Sequence, residues 1–223
     1  FLNSPSVLVK IIEAAQIKSA ETILEIGPGT GILTRALLDS GARVIAVEKD
    51  GRAYSGLTEK FSSELTSDRL TLHSGDILES DRTTYGLSEG QYAVVANIPY
   101  YITGAILESF LEYTPRPNRM VLLVQKEVAD RIVANDAKES LLSMSVKAFG
   151  TPRIVAKVPR GAFTPPPTVD SAVISISDIS ASRFTSRNIE IKDFFRILKA
   201  GFAHKRKFVK RNLESALSRE ALD

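Results

Sequence analysis

The segment Val95-Ala96-Asn97-Ile98-Pro99-Tyr100-Tyr101 ends an apolar run in an Asn-x-Pro-aromatic turn. Such a turn carries the groups needed to methylate the exocyclic amine of an adenine. The lone pair of that amine is delocalised into the purine, which makes it a poor nucleophile. Accepting both of its N–H hydrogens localises the pair. The side-chain oxygen of Asn97 can accept one, and the carbonyl of Ile98, turned inward by Pro99, can accept the other. Tyr100 then offers a flat face to a base drawn out of its helix. Asn and Pro are also common turn formers, so the segment alone fits a plain strand-ending turn as well.

A second constellation, Thr22-Ile23-Leu24-Glu25-Ile26-Gly27-Pro28-Gly29-Thr30-Gly31, lies upstream. A short apolar run breaks into Gly27, Gly29 and Gly31, and a helical pattern begins at Ile32. Glycine is needed where backbone must approach a ligand or adopt positive φ. A dinucleotide fingerprint would place its third glycine one position later, where Ile32 stands. The spacing here suits a nucleoside lying across a strand end, with no pyrophosphate to cradle. The next apolar run, 42–47, ends in Glu48, where an acid can accept from both ribose hydroxyls. A solvated strand-end carboxylate fits that position too. After the third run, Leu70-Thr71-Leu72-His73, come Gly75, Asp76 and Ile77. Asp76 can accept from an adenine amine, and the Ile77 N–H can reach a ring nitrogen. Four such features in order make coincidence improbable.

With these residues in view, the chain resembles the KsgA family of ribosomal RNA adenine N6-dimethyltransferases, which use S-adenosylmethionine. The similarity runs over nearly the whole length. It begins with Phe1-Leu2-Asn3 and continues through Glu25 to Gly31, Glu48, Gly75-Asp76 and Asn97-Ile98-Pro99-Tyr100-Tyr101-Ile102-Thr103. Farther on come Val124-Gln125-Lys126-Glu127-Val128-Ala129-Asp130-Arg131 and Phe163-Thr164-Pro165-Pro166-Pro167-Thr168-Val169-Asp170-Ser171-Ala172-Val173. The resemblance implies that Leu2, Gly27, Glu48, Asp76 and Asn97 touch the cofactor. It also implies that Phe163 covers the other face of the target adenine. The implied substrate is a pair of adjacent adenosines near the 3′ end of small-subunit RNA, within an immature subunit. The macrolide-resistance (Erm) dimethylases of large-subunit RNA share the general plan and are the nearer alternative. A non-catalytic RNA-binding assembly or transcription factor on the same fold is the more distant one. Family members usually carry Gly-Gln-Asn and a basic tail before Phe-Leu and run on past the position of Asp223, so a chain trimmed at both ends is expected.

Composition agrees. The chain has 223 residues and no Cys, which excludes a disulfide framework and a thiolate nucleophile. His73 and His204 are far apart without ligand spacing, so no metal site is expected. No apolar stretch is long enough to span a bilayer, and a cytoplasmic monomer is the expectation. Net charge is only +3, but Arg196, Lys199, Lys205, Arg206, Lys207, Lys210 and Arg211 crowd one segment. Phe194, Phe195, Ile197, Leu198, Phe202, Phe208, Val209 and Leu213 are interleaved with them. That pattern predicts amphipathic helices that bury Phe202, Phe208 and Leu213 and turn a basic face to RNA phosphates, although a solvated face has the same pattern.

These residues need elements to hold them. An opening helix over 6–16 is followed by strand candidates at 23–26, 43–47, 70–73, 92–96 and 120–124, alternating with helical stretches. The alternation predicts a parallel sheet covered on both faces. Runs at 154–158 and 171–176 are too close for a crossover helix and read as an antiparallel pair closing the sheet, with the Phe163 loop between them. The expected fold is therefore α/β: a Rossmann-like, S-adenosylmethionine-dependent methyltransferase sheet over 1–177, mostly parallel with an antiparallel closing pair. The polar stretch 177–188 reads as a linker, and 178–223 as that linker plus a small helical RNA-binding domain. Pro165, Pro166 and Pro167 are read as stiffening the Phe163 loop, Asp130 and Arg131 as a surface pair, and Tyr101 as a residue without assigned chemistry.

Overall fold

The computed structural model describes residues 2–135, 138–204, 208–214 and 216–217. In chain order the elements are α1 (Pro5–Ala15), β1 (Thr22–Ile26), α2 (Ile32–Asp39), β2 (Arg43–Glu48), α3 (Gly51–Lys60), α4 (Ser62–Thr66), β3 (Leu70–Ser74) and β4 (Tyr92–Asn97). They continue with α5 (Thr103–Glu112), β5 (Arg119–Gln125), α6 (Lys126–Val133), α7 (Leu141–Phe149), β6 (Thr151–Val158), β7 (Ser171–Ser177), α8 (Ser182–Thr185), α9 (Ile191–Phe202) and α10 (Val209–Leu213). The strands form one seven-stranded sheet in the order β3-β2-β1-β4-β5-β7-β6. The first five are mutually parallel. Strand β7 runs antiparallel to both β5 and β6, so the closing pair expected from the sequence is present.

Strands buried on both faces must be apolar on both, and β4 is buried from Tyr92 to Ala96. Successive side chains point to opposite faces. Leu24, Val94 and Leu122 therefore join Leu107, Phe110, Phe149 and Phe195 of α5, α7 and α9 on one side. Ile23, Val95 and Leu123 join Ile11, Leu37 and Phe61 beneath α1, α2 and the α3–α4 junction on the other.

Parallel pairing puts the ends of β1, β2 and β4 side by side, and register carries the line onward. Ile26 lies opposite Val47, Asn97 opposite Leu123, and Gln125 opposite Ser171 of the antiparallel strand. Every candidate residue of the first two constellations thus reaches one edge of the sheet, the edge where open α/β sheets bind ligands. Helix α5, which leaves that edge from the Asn97 turn, is fixed at its far end by two buried arginines. Arg82 donates to the Ser109 and Tyr113 carbonyls, and Arg116 to those of Leu111 and Glu112. These supply the terminal carbonyls with the partners a helix end otherwise lacks.

Two expectations change. The stretch 177–188 is not a bare linker: Ile179 and Phe184 are buried in the same core as the sheet, and α8 carries Phe184 there. Phe184 packs on Phe149 at 5.0 Å between ring centroids, and two apolar residues in a Ser-rich run are too few to show periodicity. In α9, Phe195 is buried but Phe202 is 42 % exposed; Phe208, just before α10, is 84 % exposed, and Leu213 of α10 is half-buried. The helix packs through its first turns, and its last turn passes beyond the neighbours that cover Phe195. The bond that ties α10 to α9 is polar, from Asn212 Nδ2 to the Gly201 carbonyl at 2.8 Å.

Candidate active site

The cavity at this edge measures about 580 Å³, within the range of small-molecule sites. Its walls contain Leu2, Gly27, Gly29, Glu48, Asn97, Ile98, Pro99, Tyr100 and Phe163, nine of the residues expected from the sequence. Pro165 and Pro167 of the Phe163 loop line it too.

One end is built from backbone and carboxylates. Gly27 and Gly29 have φ of +64° and +57°, a region side chains disfavour, and this turns the loop across the end of β1. The Gly29 N–H donates to Glu48 Oε2 at 2.9 Å, and the Asp50 N–H to Oε1 at 2.8 Å. Asp50 caps α3 through the Arg52 and Ala53 N–H groups. Glu48 is thus buried and fixed by one donor on each oxygen, and each oxygen keeps a lone pair for a ligand hydroxyl. Gly31 stands outside the wall, for a different reason. A Cβ there would lie 2.5 Å from the Phe61 ring, so its lack of a side chain serves the packing of α2 against α3 and α4.

Asp76 and Ile77 also stand beside the wall. Asp76 Oδ2 pairs with Lys49 Nζ at 2.7 Å, and Oδ1 accepts the Leu78 N–H at 2.9 Å. The Lys49 hydrogen bond, helped by the Leu78 N–H, holds this carboxyl below its ordinary range. The Ile77 side chain belongs to the core.

Glu25 was not singled out from the sequence, and it lines the same cavity. It is 1 % exposed, and its Oε2 is buried without a hydrogen-bond partner among the described residues, as is the Thr34 hydroxyl. Burial pushes the carboxyl up to about 8, and the neighbouring Glu48 charge adds to the rise. The signal was an acid in the interior of an otherwise apolar strand, one position before the glycine turn. Burial keeps this carboxyl largely neutral near pH 7, and a cationic donor entering the cavity would favour its ionised form.

The other end is aromatic. Asn97 terminates β4, and the Ile98 N–H donates to the Leu123 carbonyl at 3.3 Å. Ile98 is buried and lies in the wall of the cavity. Pro99 (φ −55°, ψ 131°) opens a one-turn helix, Tyr100–Ile102, closed by the Ile102 N–H on the Pro99 carbonyl. The Tyr100 hydroxyl lies 2.6 Å from Ser171 Oγ on β7, which fixes the ring. Across the cavity Phe163 is paired in a β-bridge with Leu2. The Asn3 N–H donates to the Ala162 carbonyl at 2.9 Å, and the Asn3 amide bonds the Thr164 hydroxyl. The N-terminal segment therefore pins the Phe163 loop, and Phe163 is itself largely buried. Tyr101 is exposed and is not part of this wall.

The basic segment is only partly placed. Arg196 and Lys199 are exposed on α9 but face acids, Asp193 at 3.4 Å and Glu108 at 3.5 Å. Lys210 and Arg211 are exposed on α10. Lys205, Arg206 and Lys207 lie outside the described residues. The expected surface pair of Asp130 and Arg131 is replaced by Lys126 and Asp130 at 2.9 Å, one helical turn apart.

The model of the family described as ribosomal RNA adenine dimethylase matches residues 1–223. A ribosomal RNA small subunit methyltransferase A of Dehalococcoides mccartyi is 44 % identical over 207 residues, 93 % of this chain and 69 % of that protein. The crystal structure of a dimethyladenosine transferase from Plasmodium falciparum has a TM-score of 0.82 at 32 % identity, covering 100 % of this chain and 76 % of that one. The 23S rRNA methyltransferase ErmE superposes with a TM-score of 0.78 at 26 % identity, covering 99 % and 86 %.

Proposed function

Because the chain belongs to the ribosomal RNA adenine dimethylase family, we propose that its cavity dimethylates the N6 amines of two adjacent adenosines near the 3′ end of small-subunit RNA. The chain is an S-adenosylmethionine-dependent rRNA adenine dimethyltransferase. The observation that carries the site reading is the meeting of two unlike sets of residues in the wall of one cavity: the fixed Glu48 carboxylate, and Asn97 with the aromatic Tyr100 and Phe163.

The residues present fit the cofactor. Glu48 offers both oxygens to a ribose, the positive-φ glycine loop leaves room for close approach, and the orphaned Glu25 oxygen suits the ammonium of an amino-acid tail. Asp76 accepts from the adenine amine on the lone pairs its present donors leave, with the Ile77 N–H beside it. Leu2 closes the N-terminal side, where its bridge to Phe163 ties the two ends together. When bound, S-adenosylmethionine supplies a methyl group activated by a sulfonium.

The chain's own residues do the rest. Asn97 Oδ1 and the Ile98 carbonyl accept the two amine hydrogens and turn the lone pair into the cavity. Pro99 sets the direction of that carbonyl. Tyr100 and Phe163 hold the ring between them, so two reactants meet in one orientation. Loss of the amine proton follows methylation, when it has become strongly acidic, and no dedicated base is required. Residues 1–177 form the catalytic part. The segment 178–223 meets RNA through Arg196, Lys199, Lys210 and Arg211, joined by Lys205, Arg206 and Lys207. The natural substrate is an immature small subunit, and the protein acts as a cytoplasmic monomer. Among the described residues no helix is long and apolar enough to cross a membrane.

Methyl transfer from tritiated S-adenosylmethionine to undermethylated small and large subunits tests this. Label in the small-subunit RNA is expected. Label confined to large-subunit RNA would move the protein to the ErmE-like reading that its structural likeness keeps open.

A further inference from the structure

Tyr101 is 88 % exposed, the most exposed large apolar side chain among the described residues. Single exposed apolar residues are ordinary on protein surfaces. This one sits on a turn that is itself fixed. Its neighbour Tyr100 is fixed by the bond to Ser171, Ile102 packs against the core, and the Ile102 N–H closes the turn on Pro99. The two consecutive tyrosines diverge. Tyr100 lines the cavity and reaches toward β7, while Tyr101 is no part of that wall and is open to solvent. Lys49, just past the end of β2, has a 74 % exposed side chain and hydrogen-bonds Asp76 at 2.7 Å. An exposed aromatic ring carried on a fixed turn is the kind of surface on which single-stranded nucleic acid stacks its bases.

We propose that Tyr101 is a stacking platform for the nucleotide adjacent to the target adenosine in the substrate RNA. The inference rests on the reading of the cavity as an adenine-methylating site. An RNA strand that places one base against Tyr100 must carry its covalent neighbour past the mouth, where Tyr101 is the flat surface presented. Stacking tolerates any base because every base has a π-face. One platform can therefore serve both rounds on two adjacent adenosines, although the neighbouring nucleotide differs between rounds.

The test is a double-mutant cycle on the complete chain with short single-stranded RNAs. One RNA carries the two adjacent adenosines, and the second is abasic at the position next to the target. Wild type and Tyr101→Ala, Tyr101→Phe are titrated with both. Removing the neighbouring base should weaken wild-type binding at least about fivefold, as expected for one lost stack. Tyr101→Ala should show the same loss on the intact RNA and little further loss on the abasic one, while Tyr101→Phe stays near wild type. Affinity for S-adenosylhomocysteine should be unchanged in both variants, which also shows that they are folded. Equal RNA binding by wild type and Tyr101→Ala, or losses that simply multiply, would overturn the proposal while leaving wild-type methylation intact. A parallel fall in S-adenosylhomocysteine affinity would assign Tyr101 to the cofactor instead. If wild-type protein methylates neither this RNA nor undermethylated small subunits, the reading of the site fails and this inference falls with it.

Discussion

The two ends of the cavity are held by different forces. At the carboxylate end Glu48 takes the Gly29 and Asp50 N–H groups, and Asp76 takes the Leu78 N–H and Lys49. These bonds join neighbouring strand ends and turns, and they fix charges before any ligand arrives. At the aromatic end the walls come from distant parts of the chain: Tyr100 is steadied by Ser171, and Phe163 by Leu2 and Asn3. One end is preorganised for binding a small molecule tightly. The other is a slot whose width depends on tertiary pairing, as suits a base that enters and leaves twice.

If that division is right, damage to the two ends should separate in the measurements. The largest effect is expected for Asn97→Ala. Loss of an acceptor oriented at the reacting amine should lower the single-turnover rate on the order of 10²-fold, with RNA affinity nearly unchanged. A rate equal to wild type would break the comparison at its catalytic end. Glu48→Ala acts at the other end. It removes a charged acceptor and leaves two donors seeking partners, so calorimetry with S-adenosylhomocysteine should show a loss of roughly 1.5–3 kcal/mol. Turnover at saturating cofactor should suffer far less.

Smaller effects sharpen the picture. Gly31→Ala places a methyl against Phe61 at a positive-φ position and should destabilise the fold by about 1–3 kcal/mol, read as a lowered melting temperature. Cofactor affinity of the folded fraction should be preserved, because Gly31 packs and does not line the wall. Tyr100→Phe removes only the bond to Ser171, worth about 1 kcal/mol. It should slow methyl transfer a few-fold while stacking persists.

A separate effect concerns pH. Burial pushes the Glu25 carboxyl up to about 8 in the folded, ligand-free protein, against an ordinary value of about 4.5. The folded state therefore binds the proton more tightly than the unfolded state, and stability from this group is full below about 4.5 and is lost as pH rises through about 8. The melting temperature of wild type should fall across that window relative to Glu25→Gln. Parallel curves would mean that Glu25 is already ionised.

Much of this was legible in the sequence, because the glycine turn, Glu48 and the Asn97 turn are each defined by neighbours in the chain and each follows an apolar strand. Sheet topology then brings them together almost automatically. What could not be read depends on partners far away. The pairing of Leu2 with Phe163 spans most of the chain, and no local pattern announces it. The ion pair of Lys49 with Asp76 arises because β2 and β3 are adjacent, which the order of strands in the sequence does not by itself specify. Glu25 was hidden by its own strand, where a single acid among apolar residues looks like an exception to burial and is in fact buried. Phe202 and Phe208 failed in the opposite direction: their spacing marks an apolar face, but spacing does not say whether anything covers it.

The central claim is that Asn97 and the Ile98 carbonyl address the exocyclic amine of adenine. RNA methylated by the wild-type chain can be digested to nucleosides and separated by mass-detected chromatography. The account predicts N6,N6-dimethyladenosine, with N6-methyladenosine as its precursor at early times. Methyl groups found instead on a ring nitrogen or a ribose hydroxyl would contradict it.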